Sequence, residues 1–474
     1  MITHFWEKNR ALLFGLVLFL GCLFALQTPW ALLCCPFLIP KKYVFHASFL
    51  FLLPCSLVYH VYTFPPTGSE VEGIFYIHSI RKSDRFGQGW TYQGILKTEE
   101  GRLLCRSFSK SYLAPSAAYR VKGRVNALHG RLYALKTTEP WKFEKSLYNL
   151  VGIRLAAQEY VKSYIKKHIS QKRAAHFLTG MITGQLEDRI LRGEFGELGL
   201  SHLMAISGFH FALLALTFHL VLRLFLPPKP EALCLMILLT AYFLFIGSTP
   251  SILRAWTVAM IFLLGQLLEK RGTALNSLGV ALCLSILWSP LSTLTLSFQL
   301  SFLATAGILF FYPFCNRMLS LWLPKRSLKV VIEKRWFWQQ GYILISFLRE
   351  ALALTLAVHL TVFPLLIALF HTAPLNGLLY NLFFPFLASL ALMFFLVSLV
   401  LGHWAHVLNG YYCEWILQLV ESPPLTLKTY YVPGMPSWLL ATLLTTLLAL
   451  AISLQIKKRA DGFSVTDNPF LDHL

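Results

Sequence analysis

The 474-residue chain is 56% hydrophobic, only 14% charged, and carries a formal net charge of +20. A soluble globular protein would hold about 25% charged residues, so that class is excluded. Repeated apolar runs of about 20 residues read as a polytopic α-helical membrane protein, and the positive excess points to polyanionic partners, nucleic acid or anionic lipid.

Residues 1–64 read as about three N-terminal transmembrane helices, over Ala11–Leu26, Trp30–Ile39 and Tyr43–Phe64. No small-residue cleavage site follows the first run, so it is expected to be a retained span and not a signal peptide. Lys8, Arg10, Lys41 and Lys42 mark the cytoplasmic side by the positive-inside rule, which leaves the chain outside at Pro65-Pro66.

Residues 65–145 change character. Short alternating runs at Val71–Ile77, Trp90–Leu96, Arg102–Phe108, Tyr119–Val125 and Arg131–Leu135 predict five strands. From 71 to 145 there are 14 Lys or Arg against 6 Asp or Glu. A small extracytoplasmic all-β domain, OB-like, fits this pattern, with Arg120, Lys122 and Arg124 on one face as candidate DNA-binding residues. The alternative is a basic, solvated domain with no ligand.

Residues 146–200 read as amphipathic basic helices at the membrane surface. Arg154, Lys162, Lys166, Lys167, Lys172 and Arg173 supply a basic face that suits anionic headgroups or a polyanion at a pore mouth; Lys166 and Lys167 are the candidate contacts. The Gly- and Thr-rich Thr179–Gln185 is expected to break the helix, and a second one to run from Leu186 to Gly196.

Residues 201–456 hold nine apolar runs: Ser201–Leu226, Ala232–Ile246, Ile252–Leu268, Ala274–Trp288, Leu294–Tyr312, Ala351–Phe370, Leu375–Val400, Trp404–Leu419 and Ser437–Ile456. Charged turns follow every second crossing. That alternation predicts about twelve spans in all, both termini in the cytoplasm, residues 65–200 outside, and 457–474 as a short cytoplasmic tail. Asn376, Gly377, Asn381 and Pro385 suggest that Leu375–Val400 starts as a re-entrant half-helix.

Polar groups inside such runs are costly, so each is a functional candidate. Gly199–Phe211 carries His202 and His210, eight residues apart and roughly on one face, with Ser207 and Gly208 between them. Helix–helix glue is the bland reading. Arg254 opens another run, where it lines a path or snorkels to the interface. Gln299, between Ser297 and Ser301, is expected mid-span in interhelical hydrogen bonds; His359, Asn376 and Asn381 follow. Glu414 is the one acidic residue within a run. A path of His, Arg, Asn, Gln and Ser suits an anion and argues against a carboxylate proton relay or a metal-cation route. The nine cysteines have no metal or disulfide spacing.

Gly199–His210 resembles the Gly-x-Ser-His-Leu-Leu-Ala-Ile-Ser-Gly-x-His signature of the ComEC-type competence family. Ser251–Ala255, Ser297–Phe302 and Pro374–Asn381 resemble three further family blocks, in the family's order. The resemblance covers about residues 150–400, and 65–145 is similar to the family's extracellular OB-like domain. It implies a channel in the bacterial inner (cytoplasmic) membrane that imports single-stranded DNA during natural transformation. His202, Ser207, Gly208, His210, Arg254, Gln299, Asn376 and Asn381 would lie on the translocation path. Many members also carry a metallo-β-lactamase-like domain, but its His-x-His-x-Asp-His motif is absent here. The expectation is no metal, no cofactor and no enzymatic activity, with another protein degrading the second strand. No Walker-type loop occurs, so a cytoplasmic motor or helicase is expected as a partner, beside the bilayer and an extracytoplasmic DNA-receptor protein. Monomer and homodimer both stay open. Two other classes compete: a transporter of anionic lipid or cell-envelope precursor, and an intramembrane serine hydrolase using Ser207 with His202, His210 or His359 as base.

Overall fold

The structure, a computed structural model, describes residues 2–26, 41–83, 89–128, 132–146, 150–200 except 185 and 187, 203, 208–324 except 271, 331–425 except 334 and 374, 430–431 and 436–460. The chain is mostly helical, with one small β-barrel near its N-terminal end.

α1 (Ile2–Lys8), α2 (Arg10–Ala25) and α3 (Val44–Val61) open the chain. The Lys42–Glu7 ion pair at 3.0 Å brings the starts of α2 and α3 together, so both run the same way. The expected return crossing Trp30–Ile39 lies outside the described residues.

The barrel follows. β1 (Glu70–Ser83), β2 (Gly89–Lys97), β3 (Arg102–Ser109), β4 (Ala117–Ala127) and β5 (Tyr133–Thr137) pair in the order β1-β2-β3-β5-β4, and β1 pairs with β4 to close it. The β3–β5 pairing is parallel and the others are antiparallel. Closure leaves these five strands without a free edge. Strand alternation sends Tyr119, Val121 and Val125 into the core and Arg120, Lys122 and Arg124 outward. β6 (Lys142–Ser146) adds to β4. The sequence reading missed it because all five of its residues are exposed, which leaves no apolar period to detect.

α4 (Leu150–His168), α5 (Lys172–Thr183) and α6 (Arg189–Glu197) come next. The expected break within 179–185 is confined to its end, at Gly184, and an earlier break was not expected. Helix α4 already ends at His168, and 179–183 are helical and buried in α5, which stops at Gly184 with a left-handed φ of 72°. Apolar packing of Phe177, Leu178 and Met181 outweighs the weak helix propensity of Gly and Thr. Lys162, expected on the basic face, is buried.

α7 (Gly208–Leu222), α8 (Pro228–Ile246), α9 (Pro250–Leu267), α10 (Ala274–Trp288), α11 (Leu296–Trp322) and α12 (Trp336–Phe370) follow in order. After them come β7 (Thr372–Ala373), α13 (Asn376–Tyr380), α14 (Phe384–Leu401), α15 (His403–Glu421), β8 (Tyr430–Tyr431) and α16 (Ser437–Ala460). Among the described residues α8, α9, α11, α12 and α14 are long and apolar enough to cross a membrane, and several shorter apolar helices accompany them. α15, over the expected run Trp404–Leu419, is not among them. It carries His403, His406, Asn409, Glu414 and Gln418.

Close backbone approach holds the helical layer together. A Cβ on Gly15 would stand 2.8 Å from the Gly279 carbonyl oxygen, and one on Gly279 would collide with the backbone of Ala11 and Leu12. Small residues at such contacts let α2 and α10 pack backbone to backbone. The Asn276 side chain joins the same ends. Its Nδ2 donates to the Lys8 carbonyl at 2.9 Å and its Oδ1 accepts from the Ala11 amide at 3.2 Å. α11 and α12 form an antiparallel pair: Thr361 Oγ1 donates to the Leu303 carbonyl at 2.9 Å, and Arg349 Nη1 to the Leu323 carbonyl at 3.2 Å.

Candidate functional site

Arg254 lies in the second turn of α9, half-buried, with its guanidinium against Gly208, the first residue of α7. A Cβ on Gly208 would stand 2.5 Å from Arg254 Nη2, so glycine is what admits the arginine. Arg254 Nε is buried and has no hydrogen-bond partner among the described residues. No carboxylate pairs with it there either. His210, half a turn into α7, is completely buried.

The start of α11 adjoins this corner. Ser251 Oγ and Ser297 Oγ are 3.2 Å apart, which ties the first turns of α9 and α11. Gln299 is not mid-span as expected. It sits in the first turn of α11, and its Nε2 donates to the Thr293 carbonyl at 3.0 Å in the preceding turn Pro290–Leu294. Thr295 caps the helix by accepting from the Phe298 amide, so the helix begins later than the apolar run does. Gln299 thus satisfies its own connection, not a neighbouring helix.

Asn376 and Asn381 form a separate group. Asn376 is buried, and its Nδ2 donates to the Glu197 carbonyl at 3.3 Å. Gly377 backs onto Gly199: a Cβ there would be 3.7 Å from the Gly199 Cα. Asn381 Oδ1 is buried without a partner among the described residues. The interruption predicted at the start of Leu375–Val400 is present as a break between α13 and α14. Within the Gly199–Phe211 stretch, Gly199 therefore adjoins α13 and Gly208 adjoins Arg254. His202 and Ser207 lie between, outside the described residues.

The three candidate cations of β4 each face a carboxylate. Arg120 pairs with Glu144 through two bonds of 3.1 Å, Lys122 lies 3.9 Å from Glu139, and Arg124 lies 3.4 Å from Glu70. The Glu144 hydrogen bond raises the pKa of Arg120. Lys166 and Lys167 are exposed on α4.

Sequence reasoning missed three buried polar groups. Gln158 on α4 donates to the Phe245 carbonyl at 2.8 Å. Glu231 pairs with His219, joining α8 to α7. Arg349 is buried beside Glu350, 3.4 Å away. Glu231 and Glu350 fall just outside the apolar runs as drawn, but the helices extend past the runs and include both. Among the described residues no cluster of His, Cys, Asp or Glu could hold a metal ion.

The competence protein family matches residues 184–457, more than half of the chain. The chain belongs to that family. A segment of 125 residues is 30% identical to ComE operon protein 3 of Bacillus subtilis (strain 168), covering 26% of this chain and 16% of that relative. No solved structure matches the chain. Family membership and five helices long and apolar enough to cross a membrane together point to a multi-pass membrane protein.

Proposed function

We propose that this competence-family member is a channel that carries one strand of DNA across the bacterial cytoplasmic membrane. The observation that carries the reading is Arg254: a cation in a membrane-length helix, without a carboxylate partner among the described residues, packed on the glycine that begins α7. An arginine held there attracts a phosphate backbone without reading sequence. Ser251, one turn before it on α9, and Ser297, bonded to Ser251, add neutral hydrogen-bonding groups. The barrel is read as an OB fold outside the membrane, from its closed five-stranded order and parallel β3–β5 pair. The termini are read as cytoplasmic. The driving force is assigned to a cytoplasmic motor or helicase, delivery to an extracytoplasmic receptor protein, and the chain itself to transport without catalysis.

The test is uptake of labelled duplex DNA in cells lacking this chain, with label scored outside the cytoplasmic membrane and in the cytoplasm. The expected result is outer label without cytoplasmic label, with import restored by the intact chain and not by Arg254→Ala or His210→Ala. Unchanged cytoplasmic label in the deletion strain overturns the reading, and anionic lipid transport is then measured instead.

A further inference from the structure

Two irregularities converge on one side chain, Arg154 of α4, and a third contact lies one turn along the same helix. The first is a β-bulge: the β1–β2 register slips between Ile77 and Ser79, which leaves His78 with no residue opposite it on β2. Bulges re-aim backbone groups, and here the His78 carbonyl accepts from Arg154 Nη2 at 2.7 Å. The second is Gly247, which ends α8 with φ of 99°. The Arg154 guanidinium occupies the space a Cβ on Gly247 would need. The third lies one turn along α4, where Gln158 takes the Phe245 carbonyl and, at 3.5 Å, that of Ile246. The last carbonyls of a helix lack partners within it, so α4 caps α8 with one side chain while its neighbour holds the barrel.

Only a short turn, Gly247 to Pro250, separates this contact from α9, whose first two turns carry Ser251 and Arg254. Among the described residues the barrel also meets the rest of the chain beside its covalent connection. There the Thr63 amide donates to the Arg102 carbonyl at 3.1 Å, and Leu104 of β3 packs on the apolar core of α2, α3 and α10. Leu155, next to Arg154 on α4, packs on the barrel core. A domain held only beside its covalent connection is free to swivel, because small interfaces permit relative motion. A second tether on a different strand removes that freedom. A lysine could not replace it, since a single ammonium lacks the planar fork that bonds one partner while lying flat on another.

We propose that Arg154 is a positioning residue that fixes the barrel against the start of α9, so that a strand leaving the barrel meets Arg254 directly. This rests on the DNA-import reading. A flexible, charged strand needs a continuous attractive route, and a swivelling barrel would break that route.

The experiment places nitroxides, through bio-orthogonal amino acids, at exposed Tyr112 on the barrel and Trp288 at the end of α10, and reads their distance by pulsed EPR in detergent. Arg154→Ala and Gly247→Ala are compared with the parent chain. Neither touches Arg254 or the barrel cations, and the second removes the latch by displacing the guanidinium. The expected result is a narrow distribution in the parent chain, a broad one in both variants and in Arg154→Lys, and a roughly tenfold fall in DNA import. Unchanged distances in both variants overturn the proposal, as do broadened distances with full import. If deletion of the whole chain leaves import intact, the channel reading fails, while the label distances still judge the latch by themselves.

Discussion

The barrel and the corner at Arg254 hold their cations in opposite ways. On β4 three exposed cations each face a carboxylate: Glu144, Glu139 and Glu70. In α9 one half-buried cation faces a glycine and no carboxylate among the described residues. Exposed pairs contribute about 0.2–1 kcal/mol each and are screened by salt, so the barrel stripe is a solvated, self-neutralised surface. An arginine removed from water keeps a strong field because little screens it. A count of basic residues does not separate the two regions. What distinguishes them is which charges the protein has already answered.

The largest expected effect tests that distinction directly. Arg254→Ala should lower DNA import about 100-fold, equivalent to about 2.7 kcal/mol, and Gly208→Ala should lower it as well, because its methyl group displaces the guanidinium. The double change Arg120→Ala with Lys122→Ala should cost less than about threefold. The same transformation assay reads all of them, and the reverse ranking breaks the comparison.

Stability should divide along the same line. Gly279→Ala forces a methyl group into the backbone of α2 and should cost about 1–3 kcal/mol, seen as a lower unfolding midpoint in detergent. Glu144→Gln, which breaks the best barrel pair, should cost less than about 1 kcal/mol. Equal losses would mean that the barrel surface is as tightly determined as the helical layer.

Glu144→Gln should also gain something. With Arg120 released, binding of labelled single-stranded oligonucleotide to the detergent-solubilised chain should rise about two- to threefold at low salt, and the gain should vanish at high salt. A gain that persists at high salt would point to contacts other than phosphate.

The smallest effect is in pH. Burial first, and then the charge of Arg154, hold the His78 imidazole below its ordinary value of 6.5, so the fold favours the neutral ring. The stability this contributes is full above that value and is lost as pH falls below it towards the depressed folded value. The Tyr112–Trp288 distance distribution should therefore broaden on acidification to about pH 5, and His78→Gln should remove that response.

Much of the architecture was legible in the chain. Each of the five predicted strands overlaps an observed one, because half-buried strands alternate with period two. Arg254 and the break before α14 were also legible, since polar residues interrupting apolar runs stand out. Gln299 was misjudged because an apolar run does not reveal where a cap begins the helix. β6 was invisible because nothing in it is buried. Arg154 looked like any other basic residue on an amphipathic face, and nothing local to it announced either partner.

The sequence by itself determined the membrane class, the barrel's strands and the polar residues within the apolar runs, because hydrophobic periodicity and the cost of burying charge act locally along the chain. Only the tertiary structure decided which charges were neutralised and which were left to act. Those pairings join residues as distant as Glu70 and Arg124, or Arg154 and Gly247. Coulombic and hydrogen-bonding energies depend on distance in space and on burial, and neither is written in the order of the residues.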